Sequence, residues 1–202
     1  KILKNRMDFD ILIYDYIKIT DNETTSSSEQ YNELGNWCNF LKNNIGGALD
    51  IPVFGACQSA CSLAIRLGGE FSIIGILNEM DRCIKQNLSK YGMINRLKSI
   101  PVIDAEVLNI QYNTEKIIKK IVDASKKTIE ENKSKIIVFG CTGLAPLVGS
   151  IKIELEKNNV YAPIIEPFRA ALYDAISCVL MGVTHSKEAY KPIRNKFNNL
   201  NY

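Results

Sequence analysis

One thiol and its neighbours hold most of the chemistry visible in this chain. Cys141-Thr142-Gly143 follow the apolar run Ile136–Phe139 after the single residue Gly140. A short stretch rich in β-branched residues, with no polar alternation, is the pattern of a strand buried on both faces. Gly140 permits a sharp exit, and an apolar helix-like stretch begins near Leu144. A thiol so placed stands at the carboxyl end of a buried parallel strand, where open α/β sheets bind ligands. It also meets the unpaired N–H groups of a helix N-terminus, which lower a thiol's pKa toward a usable thiolate. The alternative is a small buried hydrophobe, the ordinary role of a free cysteine.

The elements that must position this thiol alternate between strand-like and helix-like segments. Strands are read at Asp10 to Tyr14, Ile51 to Gly55, Phe71 to Gly75, Ile136 to Phe139 and Ala162 to Ile165. Between them, Ala56 to Leu67 sets Ala60, Cys61, Ala64 and Leu67 on one helical face, and Gly68-Gly69 supply a C-cap. Thr114 to Asn132 carries Ile117, Ile118, Ile121, Val122 and Ile129 at helical spacing, with lysines and glutamates opposite. Helices over Leu144 to Lys157 and Phe168 to Met181 follow, the latter closed by Gly182. Such alternation with short apolar strands predicts an α/β fold, a parallel sheet covered on both faces. Thr20 to Tyr31 is polar and rich in Ser and Thr, hence a loop or an exposed lid. The first 50 residues hold few strand and helix signals for a full α/β half. Either this half is reduced or divergent, or part of it lies ahead of Lys1.

Composition narrows the class. With 202 residues and 46% hydrophobic content the chain can bury a real core in one large or two small domains. Its 25 Lys+Arg against 22 Asp+Glu give no basic excess that would point to nucleic acid. No stretch approaches the roughly 18 consecutive apolar residues of a membrane span, and the N-terminus shows no signal-peptide pattern. The six cysteines, at positions 38, 57, 61, 83, 141 and 178, mostly sit in apolar or helical patterns. A chain with this much core does not need disulfide staples, so a reduced, cytoplasmic protein is expected. A single histidine and no Cys-x-x-Cys pair argue against a zinc site.

From Ile51 to Tyr190 the order of motifs resembles the cofactor-independent aspartate/glutamate/hydantoin racemase superfamily. The pieces are Ile51-Pro52-Val53-Phe54-Gly55, Phe71-Ser72-Ile73-Ile74, Arg96-Leu97-Lys98-Ser99-Ile100 and Phe139-Gly140-Cys141-Thr142-Gly143-Leu144. Pro163-Ile164-Ile165-Glu166-Pro167, Thr184-His185-Ser186-Lys187 and Tyr190 close the series. The detail looks closest to the hydantoin and allantoin racemase branch. The resemblance implies two pseudo-symmetric α/β lobes, each a short parallel sheet flanked by helices, with the active site in the cleft between them. Residues 1–66 with 170–202 would form the first lobe and 67–169 the second. It also implies a homo-oligomer acting on a small-molecule substrate, with no cofactor, metal, nucleic acid or membrane.

The family's chemistry uses one thiol from each lobe. One thiolate removes the proton from the stereogenic carbon, and the thiol opposite returns a proton to the other face. The carbanion between them needs N–H and hydroxyl donors on its carboxylate or carbonyl oxygens. Cys141 matches the second-lobe thiol, with Thr142 and Gly143 as donors at the helix N-terminus. Cys38-Asn39 resembles the Cys-Asn pair of the first catalytic motif, although Trp37 and Phe40 flank it where small residues are common. Cys57 follows a clearer strand but does not occupy the nucleophile's place in the family pattern, and Cys61, Cys83 and Cys178 read as packing residues. His185 and Ser186, after the last helix, would border the cleft and bind a substrate oxygen, or else lie in a surface turn. Asp15, Asp104 and Glu166 near strand ends carry little signal of their own. The leading expectation is a two-thiol racemase or epimerase. A same-fold isomerase or decarboxylase with one essential thiol, and a non-catalytic small-molecule-binding relative, are the alternatives.

Overall fold

The computed structural model describes residues 53–78, 80–105, 113–186 and 188–189. Three short strands, β1 (Ser72–Ile74), β2 (Ile137–Phe139) and β3 (Ile164–Ile165), form a parallel sheet in the order β1-β2-β3. Ser72, Ile73 and Ile74 stand beside Ile137, Val138 and Phe139, and Ile137 and Val138 beside Ile164 and Ile165. Every residue of β1 and β2 is buried, as the unbroken apolar run of Ile136–Phe139 requires. Ser72 is the polar exception, and its Oγ lies 2.9 Å from the Ser99 Oγ, so its hydrogen-bonding capacity is met inside the core.

Among the described residues five α-helices accompany the sheet: α1 (Ala56–Gly68), α2 (Met80–Lys90), α3 (Thr114–Asn132), α4 (Val148–Lys157) and α5 (Pro167–Met181). The chain steps from β1 to β2 to β3 in one direction, so right-handed crossovers lay α3 and α4 on one face of the sheet. There α3 packs on β1 and on α4, while α1 lies across β2 and β3 and packs along α5. The helices read from sequence at 114–132 and 168–181 appear with those limits or within a residue of them. Gly69 (φ 78°) returns its N–H to the Ile65 carbonyl at 3.0 Å, and Gly182 (φ 64°) caps α5, as the sequence predicts.

Three features depart from the sequence reading. The helix expected over 144–157 starts as a 3₁₀ segment, Thr142–Leu147, and becomes α-helical only at Val148. Pro146 lies inside that segment and has no N–H to donate, which suits a tightened first turn. The sequence reading does not set α2 apart as an element, although Met80, Ile84 and Leu88 recur on its buried side. Residues 97–105 also form an irregular parallel edge beside β1. Lys98 donates to Phe71, Ile73 to Ser99, Gly75 to Pro101 and Ile103 to Gly75, at 2.8–3.1 Å. Proline is tolerated on such an edge.

Val53–Gly55, read as the end of a strand, runs into α1 without a sheet partner among the described residues. The segments read at 10–14 and 20–31, and Cys38, Asn39, Ile51 and Pro52, lie outside the described residues.

Candidate active site

Cys141 stands two residues past the end of the central strand β2, at the N-cap of the 3₁₀ segment. Its backbone is extended (φ −138°, ψ 131°), and its Sγ accepts the Gly143 N–H at 3.3 Å. The sheet presses close at this point. A methyl group on Gly140 would lie 2.8 Å from the Ile74 carbonyl oxygen and 3.2 Å from the Met80 Cε. Gly140 therefore lets β2 turn tightly against β1 and lift Cys141 to the rim. The thiol is half-buried, Thr142 and Gly143 are exposed, and Leu144 is buried beneath them.

The electrostatic expectation for Cys141 is reversed in direction. Burial raises its pKa above the ordinary thiol value, and the N–H groups of Gly143 and Leu144 offset that only in part. Removal of water from the sulfur is the larger effect, and the contacts from the 3₁₀ start of the helix do not outweigh it. The resting sulfur is accordingly a thiol. Cys57 behaves oppositely: a hydrogen bond from Cys61, one turn further along α1, lowers its pKa, while Cys61 is raised by that bond and by burial.

Glu166 follows β3 and is the N-cap of α5, ahead of Pro167. Its two carboxylate oxygens accept the N–H groups of Phe168 at 2.7 Å and Arg169 at 2.8 Å. Only 4% of its surface is exposed. Read from sequence as an isolated carboxylate, it is a cap, and the following Pro167 at the first helical position was the available signal.

His185 and Ser186 lie beyond α5. The Nε2 of His185 accepts the Val53 N–H at 2.6 Å and sits 3.0 Å from the Val53 carbonyl oxygen. Its ring is 5.8 Å from that of Phe54. The histidine thus holds the backbone entering α1, a contact that no sequence pattern indicated. Ser186 Oγ accepts the Ala189 N–H at 3.3 Å. The structure brings together Cys141, Thr142 and Gly143, while His185 and Ser186 stand with Val53 and Ala189. Asp104 adopts a left-handed conformation (φ 47°), and its carbonyl receives the Lys120 ammonium at 2.8 Å. Among the described residues no group of three His, Cys, Asp or Glu side chains could hold a metal ion. Nor is any helix among them long and apolar enough to cross a membrane.

A parallel α/β sheet with a thiol at the carboxyl end of its central strand has recognised relatives. The family model for Asp/Glu/hydantoin racemase matches residues 42–175, and the chain belongs to that family. It is 29% identical to a hydantoin racemase from a Pseudomonas species over 70% of this chain and 55% of the relative. With the hydantoin racemase of Paenarthrobacter aurescens the identity is 28%, over 68% of this chain and 56% of the relative. Among solved structures, allantoin racemase from Pseudomonas fluorescens superposes with a TM-score of 0.70 at 26% identity, covering 79% of this chain and 64% of that one. Allantoin racemase from Klebsiella pneumoniae gives a TM-score of 0.61 at 27% identity, covering 67% and 54%. The chain therefore spans little more than half the length of the curated relatives it matches.

Proposed function

We propose that this protein is a racemase that inverts a carbon next to a carbonyl, on a hydantoin-type ring or an acidic amino acid, with Cys141 as one of two proton-transferring thiols. The observation that carries this reading is the placement of Cys141: a half-buried thiol at the rim of a parallel sheet, beside the exposed residues Thr142 and Gly143. The likeness to relatives named hydantoin racemase and allantoin racemase supports this substrate class.

The reaction needs only acid and base. A thiolate takes the α-proton, and the electron pair of the C–H bond moves onto the adjacent carbonyl as an enolate. The thiol on the opposite face then gives its proton to the carbon, which leaves the mirror-image product and exchanged protonation states on the two sulfurs. Donors at Thr142 and Gly143 would stabilise the enolate oxygen. Because burial raises the Cys141 pKa, it is poised as the proton donor, and the mechanism asks for a thiolate on the opposite face. Cys38 is the proposed partner, with Asn39 beside it at the substrate. Both lie just ahead of the region the family model matches and outside the described residues. In this reading residues 1–66 with 170–202 form one lobe and 67–169 the other, with the cleft between them, and no cofactor takes part.

The test is exchange of the α-proton for solvent deuterium, followed by mass spectrometry, across 5-substituted hydantoins, allantoin, aspartate and glutamate. Exchange accompanied by loss of optical activity on at least one of these is expected. Decarboxylation, or no exchange on any of them, would remove the racemase reading.

A further inference from the structure

α1 carries two thiols, one turn apart, that the proposed proton transfer does not use. Cys57 lies in its first turn and is partly exposed, whereas Cys61 is fully buried in the core that also holds Ala60 and Ala64. Neither belongs to a disulfide. Cys61 donates a hydrogen bond to the Cys57 sulfur, so the two sulfurs already point at one another. Side chains at i and i+4 of a helix hold their Cβ atoms about 5–6 Å apart. A disulfide needs them at about 3.5–4.5 Å, so this pair does not close into one while the turn stays helical. A metal ion set between the sulfurs puts two metal–sulfur bonds where a disulfide has one bond, and that longer bridge suits the spacing.

The donor set and its surroundings select the ion. Among the described residues no third His, Cys, Asp or Glu joins the pair, so the tetrahedral set that zinc takes is not assembled there. Two thiolates without carboxylate or imidazole partners favour a soft cation. We propose that Cys57 and Cys61 form a dithiol site for a soft cation that accepts two ligands, monovalent copper in particular, at the start of α1. One monovalent ion binds and two thiol protons leave, so the bis-thiolate complex carries a single negative charge. An anion in a largely buried place needs compensation. α1 begins with no side-chain cap at Gly55 and no acidic residue in its first turn, which leaves the positive end of the helix dipole to the complex. The site does not depend on the proton-transfer reading, and its test measures bound metal instead of turnover.

The experiment titrates the reduced 202-residue protein with monovalent copper, without oxygen, against the chromogenic competitor bicinchoninate. The unaltered protein should hold one ion more than Cys57→Ser and one more than Cys61→Ser, while Cys83→Ser and Cys178→Ser should match it. No copper retained against the competitor, or equal stoichiometry in a Cys57→Ser protein that melts cooperatively, would overturn the proposal. So would loss of the ion only on replacing Cys38 or Cys141. A second measurement needs no variant: copper should slow alkylation of Cys57 by iodoacetamide about tenfold, located by peptide mapping, because a metal-bound thiolate is no longer a free nucleophile. Cys57 alkylated at the metal-free rate in the copper-loaded protein would mark an adventitious ion only and equally overturn the assignment.

Discussion

Adjacent strands of this sheet end in two helix N-termini that are treated differently. At the end of β3, Glu166 is 96% buried and commits both oxygens to backbone N–H groups at 2.7 and 2.8 Å. At the end of β2, the weakly basic sulfur of Cys141 accepts the Gly143 N–H at 3.3 Å, with the Leu144 N–H also near it, and remains half-exposed beside Thr142 and Gly143. A charged, doubly bonded cap closes its helix end to ligands, whereas a thiol with one long contact can release it. The difference teaches where chemistry can occur on this sheet edge. β3 ends in a committed cap, and β2 ends in the thiol on which the proposed proton transfer rests.

Substitution at the two caps should separate these roles, and the largest effect is expected on turnover. Cys141→Ala should reduce racemisation by about 10²–10⁴-fold, the usual contribution of a positioned acid or base, while the melting temperature stays nearly constant. Glu166→Ala should do the reverse. Losing a buried charged cap costs about 1–3 kcal/mol, which lowers melting by roughly 2–4 °C per kcal/mol in a chain of this size. Activity per folded molecule should survive. If Glu166→Ala abolished turnover without changing stability, the division between the two strand ends would fail.

A substitution below the thiol sharpens the comparison further. Gly140→Ala places a methyl 2.8 Å from the Ile74 carbonyl oxygen, a backbone atom that cannot move cheaply. Calorimetry should register a loss of about 1–3 kcal/mol, with a fall in activity because Cys141 shifts at the rim. A neutral Gly140→Ala would mean that the tight exit does not position the thiol.

The smallest expected effect is on thiol titration. With its pKa raised by burial, Cys141 should react slowly with iodoacetamide near neutrality and accelerate as pH rises through and beyond about 8.5, the value of an unperturbed thiol. Cys57, lowered by the Cys61 hydrogen bond, should reach its plateau at a lower pH. Peptide mapping after timed alkylation distinguishes the two, and the opposite order would contradict the assigned environments.

Much of this was legible because it depends on local rules. The buried run Ile136–Phe139, the glycine exit, the periodicity of 114–132 and the glycine caps at 69 and 182 each follow from short-range sequence pattern. What escaped depends on tertiary placement. The His185–Val53 bond joins residues 132 positions apart. The pairing of 97–105 with β1 has no period of its own, because that edge is irregular and contains Pro101. The direction of the Cys141 shift is not legible in the sequence, which shows the helix start but not how much water the fold removes from the sulfur.

The central claim is that Cys141 exchanges a proton with the substrate carbon. It is tested most directly by following optical activity and α-deuterium incorporation together, for each enantiomer separately, in the unaltered protein and in Cys141→Ser and Cys38→Ser. The account predicts that each serine variant loses racemisation of both enantiomers, and that deuterium exchange survives for one enantiomer only, taken from the face of the remaining thiol. A Cys141→Ser protein that racemises both enantiomers at the original rate would contradict it.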